Sequence, residues 1–301
     1  MKEVNEFVEN AFSKNIIINY LQIYRGSQKI GEYSRIEQKT RLNVYSVSKS
    51  VTAIAAGIAV DEGLFNLNDN LYKFFPEYDF VKAKNIISKI KIENLLTMTT
   101  GLADSLFFLD DKERYFVKDW IDYFFKSEFT DLPSMVFKYN NFGPYLVSCI
   151  IEKITHLKLV EFLQPRLFDK LNIGNPNWLE CPKGHTIGAS GLFLTIDEMS
   201  RIGLLLLNQG KFNGQQLVSK SYLELATKNE LHTINADAGN GYGYGFKIND
   251  DLISYRADGK YGQFIFVLPK EDLMISCQSF DDRDVYSFIW NNLIIPLKNK
   301  A

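Results

Sequence analysis

The chain has 301 residues, 46% of them hydrophobic and 14% aromatic, which is ample material for a packed core and excludes a disordered chain. Lys and Arg number 34 against 36 Asp and Glu, a formal net charge of -2 with the charges scattered along the chain, so the basic excess of a nucleic-acid binder is missing. Three cysteines (Cys149, Cys181 and Cys277) form no CxxC pair, and Cys149 and Cys277 in their apolar surroundings read as reduced buried thiols.

The opening stretch "MKEVNEFVENAFSKN" has neither a charged-then-apolar leader nor a small-residue cleavage site. No run approaches the roughly 18 apolar residues of a membrane span. The sequence as it stands reads as a cytoplasmic protein. Residues 2–12 alternate at helical spacing, and "IIINYLQIYR" with "QKIGEYSRI" reads as two strands joined at Gly26-Ser27. A helix follows in "NVYSVSKSVTAIAAGIAVDEG", with Val51, Ile54, Ala55 and Ile58 at i, i+3, i+4, i+7 and Gly63 as its stop. The stretch 64–185 reads as mostly helical. A capping box, Thr195 with Glu198, opens the helix "IDEMSRIGLLLLNQG", which closes at Gly210. Four short strand candidates come next, in "GYGYGFKIND", "DLISYRAD", "GQFIFVLP" and "DLMISCQS", and a last helix is expected over 281–294.

Strands at both ends of the chain can pair only if the ends meet. The order therefore predicts an α+β fold, one antiparallel sheet flanked by helices with a mainly helical lobe inserted. The expected division is residues 1–65 and 186–301 in one lobe and 66–185 in the other, with a site in the cleft between them.

Ser46 and Lys49 stand three apart at the mouth of the apolar helix, on one face. A serine hydroxyl needs a base to take its proton, and a lysine becomes one when burial or positive potential lowers its pKa. The helix N-terminus supplies that potential and a free N–H at the serine, half of an oxyanion hole. Ser88 and Lys91 repeat the spacing in an amphipathic, charged stretch, where a solvated lysine is expected. Tyr139-Asn140-Asn141, just before a helix with Pro144 near its first turn, offers a second element. A phenol held partly ionised beside an ammonium can pass a proton, and an amide can contact both lysine and substrate. The third is the turn in "YRADGKYGQFIFVLP", where Gly259 permits close approach of a substrate and the Lys260 N–H offers a second oxyanion donor.

In this order the three elements resemble the serine hydrolase superfamily of class C β-lactamases, DD-peptidases (penicillin-binding proteins) and their esterase and amidase relatives. The resemblance runs from about residue 16 to 290 and includes "LLTMTTGL", "GASGLFLTIDEMSRIGLLLLNQGKFNGQQLVS" and "GQFIFVLPKEDLMI". It implies a β-lactamase/transpeptidase-like fold, Ser46 as acylated nucleophile, Lys49 as its base, Tyr139 as proton shuttle and Asn141 as the residue that orients substrate. The sequence departs from the family at the third element. Members acting on β-lactams or cell-wall peptides usually carry Lys or His, any residue, then Gly; here the triplet is Ala257-Asp258-Gly259. Asp258 would repel a substrate carboxylate, and Arg256 is the one nearby replacement. Small uncharged or cationic esters and amides, or peptide-like substrates, are therefore expected rather than efficient β-lactam or D-peptide hydrolysis. The short "LLTMTTGL" also resembles the amidase and esterase branch, which includes hydrolases of linear aminohexanoate oligomers.

Three rival readings stand beside this one. A β-lactamase or DD-peptidase proper is one, and a non-hydrolytic penicillin-binding or sensor protein, which the altered third element would suit, is another. A Ser-His-Asp triad would use His156, His185 or His232, but no Gly-x-Ser-x-Gly elbow is present. The histidines are not in metal-ligand spacing, and "GNGYGYGF" leads into a strand rather than a helix, so neither a metal nor a nucleotide cofactor is expected.

Overall fold

The computed structural model describes residues 2–79, 83–105, 107–108, 110–228 and 240–299. Its centre is a six-stranded antiparallel sheet made from β1 (Ile18–Arg25), β2 (Gln28–Ser34), β3 (Lys247–Ile248), β4 (Tyr255–Gly259), β5 (Gln263–Leu268) and β6 (Leu273–Ser279), in the order β2-β1-β6-β5-β4-β3. The first hairpin lies beside the last strand, with Leu21 opposite Cys277 and Ile23 opposite Ile275. The two ends of the chain do meet, as the element order required. β5 and β6 are buried along their whole length, which fits their β-branched and aromatic content. The first C-terminal strand candidate shrinks to the two residues of β3, because the glycine-rich stretch before it packs against a helix instead.

Side chains alternate across the sheet and feed two cores. Phe264, Phe266, Leu268 and Ile275 face one cluster, shared with α1 (Lys2–Ser13) and the C-terminal helix. Ile265, Val267 and Met274 face the other, shared with α2 (Val47–Asp61), α3 (Phe142–Thr155) and α4 (Ile196–Leu207). The box at the start of α4 forms as expected: Thr195 Oγ1 accepts the Glu198 N–H at 3.2 Å, and Glu198 Oε2 accepts the Thr195 N–H at 2.8 Å. The C-terminal helix begins later than its apolar pattern indicated. Asp284 caps α5 (Val285–Ile289), the chain continues through a wide turn at Trp290–Ile294, and Ile295–Lys298 ends it. Pro296 has no N–H to give to the preceding turn, and that turn widens to accommodate it.

α2 carries the site. Every residue from Val47 through Ala59 is buried, and small residues let neighbours come close. A Cβ at Gly57 would lie 2.4 Å from the Tyr222 ring. The inserted stretch is less regular than expected. Besides α3 its helices are short, such as Ile92–Leu96, Glu113–Phe116 and Trp120–Lys126. Between them the backbone is held by side chains: Asn94 Nδ2 donates to Thr99 Oγ1 (3.2 Å) and Ser134 Oγ (2.8 Å). Such local bonds compete with helix, as threonine and asparagine commonly do. All three cysteines are free and buried. No helix among the described residues is long and apolar enough to cross a membrane.

Candidate active site

Each serine at the mouth of α2 has a distinct task. Ser50 Oγ donates to the Gly245 carbonyl at 2.6 Å and Ser48 Oγ accepts the Leu192 N–H at 3.2 Å, so these two dock neighbouring loops onto the helix. Ser46 is the N-cap residue by position, yet its side chain makes no capping bond. Its hydroxyl instead lies 3.0 Å from Lys49 Nζ. Among the described residues the Ser46 N–H has no protein acceptor, as expected for the first turn of a helix. Tyr45, just before it, sits at φ +46°, a conformation that turns the serine out of the helix end.

Lys49 is 2% exposed. Besides Ser46, its Nζ lies 2.6 Å from Asn141 Oδ1 and 2.9 Å from the Ala189 carbonyl. Burial holds its pKa well below the ordinary lysine range, and the charges of Lys247 and Arg114 add to that; Asp258 opposes them. The Tyr139 ring lies over the amine, 4.9 Å from Nζ to the centroid. Its phenol pKa is raised, by burial first, with a hydrogen bond to Ser46 pulling down and Asp258 pushing up. That direction is opposite to the partial ionisation expected of a phenol beside an ammonium. Burial outweighs the Ser46 hydrogen bond, so the shift favours a tyrosine that keeps its proton.

Asn140 and Asn141 divide their work. Asn140 Oδ1 accepts the Gly143 N–H at 2.9 Å and so anchors the first turn of α3. Asn141 keeps its amide for the site. Its oxygen meets Lys49 and its Nδ2 donates to the Phe107 carbonyl at 2.6 Å. Asn141 thus holds the lysine in place and has one N–H left for a substrate.

At the third element, a Cβ on Gly259 would stand 2.3 Å from the Val44 carbonyl. The glycine lets β4 press against the turn that carries Ser46. Lys260 lines the same cavity as Ser46, and its Nζ is 3.4 Å from Asp110 Oδ2. Arg256 does not replace the missing cation. It donates to Asp258 (2.9 Å) and Asn249 (3.0 Å), and its guanidinium carbon lies 3.8 Å from the Tyr286 ring centroid, on α5. Lys247, on β3, is the cation that stands near the reacting groups: its Nζ is 3.3 Å from Asp258 and 5.7 Å from the Tyr139 ring centroid.

The cavity itself is about 230 Å³, lined by Tyr45, Ser46, Phe108, Arg114, Asn141 and Ser190 together with Asp110 and Lys260. Sequence reasoning missed Arg114, Lys247, Phe107 and Ala189. Only Ala189 carried a signal, in the "GASGL" stretch between two glycines. The other features separate cleanly. Ser88 ends a short helix and Lys91 reaches Asn68 on the surface. His156 and His185 line a different cavity, where His185 Nδ1 is 3.0 Å from Glu152 Oε2, and His232 lies outside the described residues. Of the glycine run, Gly245 packs on α2, where a Cβ would meet the Lys49 carbonyl at 2.8 Å.

The family model described as Beta-lactamase matches residues 18–279. A 6-aminohexanoate-dimer hydrolase from Paenarthrobacter ureafaciens is 23% identical over 219 residues, covering 67% of this chain and 55% of that protein. An N-acetylmuramyl-L-alanine amidase from Bacillus subtilis is 22% identical over 182 residues, covering 57% of this chain and 41% of the relative. The chain thus spans about half the length of these two relatives. A solved structure from Bacillus anthracis, assigned provisionally as a 6-aminohexanoate-dimer hydrolase, superposes with a TM-score of 0.82 at 19% identity, covering 97% of this chain and 81% of that one.

Proposed function

The chain belongs to the beta-lactamase family, and from that premise we propose that it is a serine hydrolase that cleaves small esters and amides through an acyl-enzyme on Ser46. One observation carries the reading: Lys49 is buried, depressed in pKa, and surrounded by three oxygens of unequal kind. The Ala189 carbonyl and the Asn141 amide oxygen can only accept. They take the two N–H groups of a neutral amine, and the lone pair is left facing the Ser46 hydroxyl.

The steps follow from that arrangement. Lys49 takes the Ser46 proton as Oγ bonds to the substrate carbonyl carbon, and the displaced electron pair moves onto the carbonyl oxygen. The N–H groups of Ser46 and Lys260 stabilise that oxyanion. As it collapses, the bond to the leaving alcohol or amine breaks, and the protonated Tyr139 hands over a proton that Lys49 restores. Water then attacks the acyl carbon as Lys49 accepts its proton, and when the bond from that carbon to Oγ breaks, Lys49 passes this proton to Ser46 and the acid product leaves. The amidase and dimer-hydrolase names among the relatives support amides as substrates beside esters.

A fluorophosphonate should add one equivalent to Ser46, located by intact mass and peptide mapping. Ser46→Ala should lose turnover of chromogenic esters by at least about 10³-fold. Labelling at another residue, or full activity in Ser46→Ala, would overturn the mechanism. Stoichiometric labelling of a protein that turns over no ester or amide would favour a sensor instead.

A further inference from the structure

Arg114 is a buried cation with almost nothing to hold. It is 7% exposed, and it lines the cavity that contains Ser46. Among the described residues its guanidinium has one weak protein hydrogen bond, from Nη1 to the Phe107 carbonyl at 3.5 Å, and no ion pair. The guanidinium carbon lies 5.5 Å from the Trp120 ring centroid, so an aromatic wall backs one side. A guanidinium has five N–H donors and keeps its charge at every pH of interest. Arg114 has no atom that is both fully buried and without a partner, so its unused donors face the cavity, and a substrate that displaces solvent there must replace the hydrogen bonds it removes.

The neighbouring carboxylates do not complete it. Burial works against its charge most strongly, and Asp111 supports it only at a distance, its Oδ2 accepting the Phe108 N–H at 2.8 Å. Asp110 is strongly exposed and pairs with Lys260. Within the cavity lining the charged side chains are therefore Arg114 and Lys260 against Asp110.

We propose that Arg114 anchors a carboxylate of the substrate, so that the ester or amide cleaved at Ser46 carries an acid group on the part lying in this cavity. The inference rests on the hydrolase reading above. It reverses the charge expectation drawn from Ala257-Asp258-Gly259: the cation absent from the third element is supplied from the inserted stretch, where the planar fork of an arginine suits a carboxylate. A neutral acyl chain would leave the donors of Arg114 unsatisfied, whereas an acidic one completes them.

The test compares two p-nitrophenyl esters of similar size, the neutral butyrate and the acidic hemisuccinate, by kcat/KM. The wild type should prefer the hemisuccinate, and Arg114→Met should lower the hemisuccinate-to-butyrate ratio by roughly 10- to 100-fold, the worth of charge-assisted hydrogen bonds. The ratio is the readout because Arg114 also helps depress Lys49; any change in the base affects both esters and cancels. Arg114→Lys should restore part of the ratio. An unchanged ratio with both esters still hydrolysed overturns the anchor and leaves the hydrolase standing. No turnover of either ester by the wild type overturns the hydrolase, and the anchor with it. Should Arg114→Met fail to fold, the wild type decides alone: glutarate should slow fluorophosphonate labelling of Ser46 and glutaramide should not, and equal effects would overturn the proposal.

Discussion

At the scale of single residues the site depends on keeping an amine uncharged. Burial does most of this, and Lys247 and Arg114 assist from two sides while Asp258 opposes. In the proposed mechanism the competent form of Lys49 is the neutral one, so kcat/KM should rise with pH through its lowered pKa and then level off. Lys247→Met removes a positive neighbour and also frees Asp258 from its 3.3 Å partner. Both changes favour the ammonium, so the rising limb should move up by about one pH unit. A pH profile measured on a neutral ester reads this directly, and a limb that stays in place would remove Lys247 from the account. The Ser46–Lys49 pair was legible in the sequence because a one-turn spacing at the start of an apolar helix is a local pattern. Lys247 and Arg114 were not. Their importance lies in where the ends of long side chains converge, and neither sits in a periodic segment.

Elements place those residues by close backbone contact. β4 approaches the turn before α2 so nearly that only glycine fits at 259, against the Val44 carbonyl. A backbone oxygen cannot swing aside as a side chain can. Gly259→Ala should push β4 away from Ser46, with a loss of kcat/KM of about 10²-fold, the usual effect of a shift near 1 Å, and a lower Tm. Calorimetry and steady-state kinetics on the same preparation check it; full activity would mean that the strand is not part of the site. The hairpin at Gly26-Ser27 and the box at Thr195 were readable because their signals span only a few residues. The inserted stretch was harder. Asn94, Thr97 and Thr99 bond their own surroundings there, and the helical pattern breaks into short pieces.

The whole molecule sets its two cores on opposite faces of one sheet. The site belongs to the face with α2, α3 and α4, while α1 and α5 cover the other. Phe7 is fully buried on that outer face, with its ring 5.2 Å from Phe288. Phe7→Ala should cost about 3 kcal/mol and lower Tm by roughly 5–10 °C. Below that melting point kcat/KM should stay within about twofold of the wild type, because the sheet separates the void left by Phe7 from the reacting groups. A large kinetic effect would show that the two faces are coupled. The α+β class was readable from the order of elements alone, since an isolated N-terminal hairpin is too small a sheet to stand by itself and needs the strands at the far end. The register between them was not, because neither terminal segment holds a signal that names its partner.

That pairing of β1 with β6 has a consequence for how the protein is made. At about 5–20 residues per second, a ribosome needs roughly ten to fifty seconds to travel from the first hairpin to its neighbour. Throughout that interval Leu21 and Ile23 have β2 on one side and no strand on the other, and the unpaired edge is open to any nascent chain nearby. Only when the last strand emerges from the exit tunnel does that edge find shelter, so the sheet that carries the site closes late in one step rather than in stages.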